Sequence, residues 1–294
     1  SSSMAQLIAL GVRDRVYALK EVSTLPSTLV RILSIVQDDG ANALDLAEVV
    51  GSDQALTLRI LGTVTSSYYG FHRQIRTVPD AVVILGFDEV ERLALAISVI
   101  HMFGRDPASA RALKMLWRHS IACSVVTGCI ETHLRSRKPQ IAGAHVAGLL
   151  HDIGKAVIAQ QFPEAMASVL RLIEDDGYSH TDAEREILDG YTHCDIGAWL
   201  AGRWSLPPAI VESIELHHAP STLPNPHLLT HATHVADVLC NRFGIRSTNA
   251  NASCEFEAAS ADAIGLDESL LAHIEERLDR QRGLIGAMAT GGIY

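Results

Sequence analysis

His151 and Asp152 stand side by side in an apolar stretch, residues 144–158, where Leu149, Leu150, Ile153, Val157 and Ile158 recur at helical spacing. A stretch patterned this way is buried. Burying an imidazole beside a carboxylate costs several kcal/mol of desolvation unless a cation or a full set of hydrogen bonds compensates. Neighbouring side chains on a helix diverge by about 100°, so the two cannot satisfy each other, but both can lean toward one ion. The competing reading is a satisfied core histidine beside an N-capping aspartate. The economical reading is a metal held by helices.

The remaining sequence is patterned to supply such helices. Of 294 residues 48% are hydrophobic and only 5% aromatic, with Ala, Leu, Ile and Val dominant, which favours packed helices over a sandwich. The expected fold is therefore all-α, with helices over 5–21, 43–50, 54–65, 88–103, 109–135, 140–160, 163–176, 193–204, 227–243 and 267–282 among others. Residues 244–265, rich in Asn, Ser and Ala, read as a loop, and the glycine-containing tail after Arg282 should fray. The short polar segment 105–108, with Pro107, is the best boundary. It divides the chain into an N-terminal helical subdomain (5–104), a second helical subdomain carrying the candidate site (109–243), and a loop with a C-terminal helix (244–294).

Several function classes are disfavoured. The formal charge of −10 argues against a broad nucleic-acid-binding face. Residues 43–65 resemble a helix-turn-helix, but the second helix offers only Arg59 as a strong phosphate or base partner among Leu56, Leu58, Ile60 and Leu61, so packing is expected there. Five cysteines without a C-x-x-C pair point to a reducing cytoplasm. No leader pattern opens the chain and the apolar runs break before about 18 residues, so no membrane association is expected.

The histidines carry the most information. His119, His151, His193, His217 and His218 fall on separate predicted helices or helix ends, and Asp152 and Asp237 add carboxylates. Ligands from several helices suit a bundle that projects them inward onto one or two ions. With imidazole and carboxylate donors and no thiolate, divalent iron or manganese is expected first, with zinc, nickel or magnesium as alternatives. Cys194, beside His193, has no partner at metal spacing and stays outside the set. His231 and His234 share a face with Asp237 and are candidates to orient the ligands. Lys155, one turn after Asp152, is placed to reach a bound anion such as phosphate, and with Asp152 forms the candidate catalytic pair. Each residue also has a plainer reading: His119 as a surface histidine, and His217 with His218 as a basic helix C-terminus.

The order His119, His151-Asp152, Asp237 resembles the HD superfamily of metal-dependent phosphohydrolases, and more specifically the HDOD family (HD-related output domain) of bacterial signalling, over about residues 20–240. Leu25-Pro26-Ser27 and residues 60–70 and 78–86 match the family's non-catalytic helical subdomain. Residues 116–120, 148–155 and 193–197, Trp204-Ser205-Leu206-Pro207 and His217-His218 match its HD-like helical bundle. The resemblance implies two helical subdomains and a signalling or regulatory module with a protein partner and without robust hydrolase activity. The alternative is a metal-dependent phosphohydrolase acting on a nucleotide or cyclic nucleotide. The related HD-GYP phosphodiesterases use a similar ligand set, but residues 219–224 here lack the Gly-Tyr-Pro motif, which argues against cyclic di-GMP as substrate. A cyclic dinucleotide as ligand and a homodimer stay compatible with the sequence.

Overall fold

Apolar stripes at helical spacing need facing partners. The computed structural model, which describes residues 11–20, 24–65, 75–103, 110–249 and 255–290, packs them into helices, with no strand among the described residues. The first half holds α1 (Val12–Ala18), α2 (Ser27–Val36), α3 (Ala43–Gly51), α4 (Gln54–Thr65), α5 (Val78–Leu85) and α6 (Phe87–Met102). The second holds α7 (Ala110–Leu134), α8 (Ala144–Leu150), α9 (Ile153–Gln161), α10 (Pro163–Asp176), α11 (His180–Ile187), α12 (His193–Arg203), α13 (Pro208–Leu216) and α14 (Leu228–Arg242). Then come α15 (Ala258–Ile264) and α16 (Glu268–Met288).

Local chemistry sets the boundaries. Capping boxes start α3 (Asn42 with Asp45) and α5 (Thr77 with Asp80), each satisfying otherwise orphaned backbone N–H groups. Gly177 in the left-handed conformation ends α10. Helix α6 is the hub of the first half, touching α2, α4 and α5; α7 is the hub of the second, against α8, α14 and α16. One continuous apolar core joins both halves, from Val12 to Ala289.

Two polar knots tie the halves together inside that core. His145, at the start of α8, sits between Glu131 of α7 (Nδ1 to Oε2, 2.9 Å) and Glu91 of α6 (Nε2 to Oε1, 3.0 Å). Glu89 Oε2 accepts from Arg92 at 2.9 Å, and from Arg277 and Gln281 of α16 at 3.2 and 2.6 Å.

Four expectations change. The single helix over 140–160 is broken at residues 151–152, where Asp152 (φ −98°, ψ 12°) leaves helical geometry and turns its carboxylate into the cluster described below. Residues 258–264, expected as loop, form α15, because Ile264 and Ser260 bury against α14 and Gly265 closes the turn. Helix α16 continues to Met288: burial of Leu284, Ile285 and Met288 outweighs the roughly 1 kcal/mol that each of two interior glycines costs. Leu58, expected on the packed face of α4, is 63% exposed. Most of the helix expected over 5–21 outside α1, the aromatic loop at 66–74, the boundary at 105–108, and Cys254 lie outside the described residues. The described stretch Pro139–Gln161 is long and apolar enough to cross a membrane, but 83% of its most apolar window is buried in the fold.

Candidate metal centre

Five helix segments deliver the candidate ligands. The middle of α7 carries His119, the break between α8 and α9 carries His151 and Asp152, and the start of α12 carries His193. The end of α13 carries His217 and His218, and α14 carries Asp237. Two glycines allow the approach. A Cβ on Gly148 would meet Thr127 Oγ1 at 2.4 Å and the Cys123 carbonyl at 2.7 Å; one on Gly154 would lie 1.9 Å from the His193 carbonyl oxygen. Without a side chain at 154, α9 seats against the first turn of α12, which brings His193 beside Asp152.

All seven predicted ligands converge. Asp152 Oδ1 lies 3.2 Å from His193 Nε2 and 3.6 Å from His217 Nε2. Its Oδ2 lies 3.5 Å from His151 Nε2 and 3.8 Å from His119 Nε2. Asp237 lies 3.0 Å from His119 Nε2 and 3.6 Å from His218 Nδ1. His119, His151, His193 and His217 are fully buried, whereas the His218 side chain is 38% exposed.

The outer nitrogens of the four sealed rings are committed elsewhere. Nδ1–H donates to the Ile245 carbonyl from His119 (2.7 Å), to Gly148 O from His151 (2.7 Å) and to Ile214 O from His217 (2.9 Å). His193 Nδ1–H donates to Glu184 Oε2 at 2.6 Å. Each such bond fixes the tautomer in which Nε2 presents a lone pair. His151 Nε2, His217 Nε2 and Asp152 Oδ1 are buried together without a hydrogen-bond partner. Three buried acceptors facing one another call for positive charge between them, which a cation supplies and which protons on the neighbouring rings, drawn there by Asp152, supply without it. The residues present fit a divalent metal.

The charges agree. Burial alone would lower the pKa of His119, but Asp237 at its Nε2 raises it to about 9, so a proton occupies that nitrogen when no metal does. Burial, reinforced by the rings of His217 and His119, keeps His151 neutral, at about 3. Burial opposes the charge on Asp152, but the Lys155 ammonium beside it holds the carboxyl well below its usual range. Burial likewise pushes the Cys194 thiol up, and His193 and His217 more than reverse it.

Two expectations shift in detail. Lys155 does not present a free ammonium: Nζ donates to Asp152 Oδ2 at 2.7 Å and Ser247 Oγ at 3.0 Å. His231 turns away, its Nδ1 2.9 Å from Ser260 Oγ on α15, so it orients no ligand. His234 does support the cluster, donating from Nδ1 to the His217 carbonyl at 2.8 Å and accepting at Nε2 from the Glu257 N–H at 3.0 Å.

Sequence reasoning passed over Glu184. Its carboxylate is fully buried and holds both His193 and, at 2.9 Å, His180 Nε2. The only sequence signal was a glutamate at the apolar side of an otherwise charged short helix, next to Ala183.

Beside the cluster lies a cavity of about 480 Å³, with Lys155, His218, Asp237, Asn241, Ser247 and Phe256 among its lining residues.

The HDOD domain family model matches residues 22–220. The fold is similar to that of an HDOD domain protein of unknown function from Geobacter sulfurreducens (24% identity, 96% of this chain and 97% of that one, TM-score 0.75). It is similar as well to a protein from Marinobacter aquaeolei VT8 provisionally described as a signal transduction protein (24%, 96% and 61%, TM-score 0.73). A third likeness is to a protein from Shewanella amazonensis SB2B provisionally described as a phosphohydrolase (21%, 98% and 100%, TM-score 0.67). At these identities the likeness establishes a shared fold. An uncharacterized protein of Treponema pallidum (strain Nichols) is 25% identical over 215 residues, 72% of this chain; the match spans only 40% of that relative's length.

Proposed function

The chain belongs to the HDOD domain family, and on that premise we propose that it is a signalling or regulatory module whose metal centre helps set the state presented to a protein partner. The observation that carries this reading is the engagement of Lys155. A lysine that clamps a phosphoryl group presents its ammonium to the substrate, whereas this ammonium is already neutralised by Asp152 and anchored by Ser247. The four inner histidines are sealed from solvent, which suits a structural or sensing ion.

His119, His151, Asp152, His193, His217, His218 and Asp237 would hold one or two divalent ions. A bound ion supplies Lewis acidity to an oxygen ligand in the cavity. Glu184 and the three backbone carbonyls keep the imidazoles aimed. The four described cysteines are buried free thiols, which supports a reducing cytoplasmic setting.

A second reading, hydrolysis of a nucleotide or cyclic nucleotide, is favoured by the cavity. Its volume of about 480 Å³ admits a nucleotide-sized ligand directly against His218 and Asp237. In that case Lys155 exchanges Asp152 for the phosphate as the ligand enters.

Elemental analysis of protein purified without chelators, alongside Asp152→Ala, tests the reading. Bound metal lost in the variant, with no turnover of phosphomonoesters or cyclic dinucleotides, supports the module. Turnover abolished in Asp152→Ala establishes the second reading, and a stably folded metal-free wild type rejects the metal centre in both.

A further inference from the structure

Cys194 follows His193 at the first turn of α12, and the sequence offers it no second cysteine at metal spacing. The fold supplies histidines instead. Its Sγ lies 3.5 Å from His193 Nε2, and His193 Nε2 lies 3.2 Å from His218 Nε2. Ligand atoms of Cys194, His193, His217 and His218 all fall within 4.8 Å of one another. Tetrahedral coordination with metal–nitrogen bonds of about 2.05 Å and a metal–sulfur bond of about 2.3 Å puts neighbouring donors about 3.3 Å (N to N) and about 3.6 Å (N to S) apart. Two edges of the cradle, Cys194 Sγ to His193 Nε2 and His193 Nε2 to His218 Nε2, already have those lengths.

A second observation points the same way. His217 Nε2 is fully buried and has no hydrogen-bond partner, with its lone pair turned into the group. Cys123 also lies near the cluster, 3.5 Å from His119 Nε2, but that nitrogen is engaged by Asp237 Oδ1 at 3.0 Å, whose negative charge opposes a thiolate there. His193 Nε2 is shared with Asp152 Oδ1 in the same way, at 3.2 Å, but Cys194 has three histidines within reach, His193, His217 and His218, where Cys123 has two, His119 and His151.

We infer that Cys194 is a metal ligand, a thiolate that joins His193, His217 and His218 in one N3S site within the centre. Binding releases the Sγ–H proton to solvent as the metal–sulfur bond forms, with no change of oxidation state. The donor set is then softer than imidazole and carboxylate alone, and it shifts preference from manganese or magnesium toward zinc, cobalt or iron. This inference rests on the metal-centre reading above.

The test loads the whole chain with cobalt(II). The expected spectrum shows visible ligand-field bands together with a sulfur-to-cobalt charge-transfer band in the near ultraviolet. That band is lost in Cys194→Ser and retained in Cys123→Ser. Ligand-field bands without charge transfer in the wild type, or a band that survives Cys194→Ser, overturn the thiolate while leaving the metal centre standing. Failure of the wild type to bind cobalt overturns both. X-ray absorption at the cobalt edge of the unaltered protein separates the same outcomes without any variant, through the presence or absence of a sulfur neighbour at about 2.3 Å.

Discussion

Glu184 accepts twice from His193, from the backbone N–H at 2.9 Å and from Nδ1–H at 2.6 Å, so one carboxylate sets both the position and the tautomer of that ring. Glu184→Gln keeps the shape and removes the charge. Metal affinity should fall about 10–100-fold, the usual cost of losing such an outer partner. A competition titration against a chelator reads it; an unchanged affinity would mean that the ring needs no such support.

Lys155 and Asp152 form a buried pair, 8% and 1% exposed at the side chain. In metal-free protein Asp152→Ala strands the ammonium and should cost about 3–5 kcal/mol in urea unfolding. Adding Lys155→Met should restore most of that loss. If the double variant is no more stable than the single one, the pair is not what stabilises this corner of the fold.

Gly154 faces the His193 carbonyl with room for hydrogen alone. Gly154→Ala should lower stability by about 1–3 kcal/mol or more as α9 is pushed from α12, and metal stoichiometry should drop with it. Gly202→Ala, on the open side of α12 with nothing within 4 Å, is the control. It should be neutral or gain about 0.5–1 kcal/mol. Equal behaviour of the two variants would contradict the close approach at 154.

Burial alone would lower the His145 pKa, but Glu131 and Glu91 on either side raise it to about 9 from an ordinary value of 6.5. A group whose pKa is raised by folding contributes fully below its unfolded value, and the contribution disappears as pH rises through the folded one. The wild type should therefore lose on the order of 3 kcal/mol between pH 6.5 and pH 9–10. His145→Gln, though less stable at neutral pH, should lack that part of the decline. Parallel stability–pH curves for the two proteins would rule the contribution out.

The candidate cluster was legible because ionisable residues inside apolar helices are rare and their order resembles the HD pattern, and the fold brings all seven together. Glu184 was barely legible: in a short helix with Asp182, Arg185 and Glu186, only its place beside Ala183 distinguishes the inward carboxylate from the outward ones. The break at 151–152 was hidden for the opposite reason. The apolar period runs through it with no Pro and with neither Gly148 nor Gly154 at the break itself, and Asp152 turns into the cluster there. The triad of Glu91, His145 and Glu131 draws on three elements, and its one sequence trace was a glutamate between Val90 and Leu93. Cys194 was set aside because spacing along the chain was sought, whereas its neighbours His217 and His218 arrive from another helix.

Glu89 receives Arg277 and Gln281 from positions 188 and 192 residues further along the chain. During synthesis the first six helices therefore emerge with that carboxylate matched only by Arg92, and the knot closes when residues 268–288 have left the ribosome. Long-range closure of this kind slows folding. Until then the face of the N-terminal half that receives Arg277 and Gln281 has no cover from them, and a nascent chain stalled before residue 268 should be cleaved there by protease sooner than the full chain.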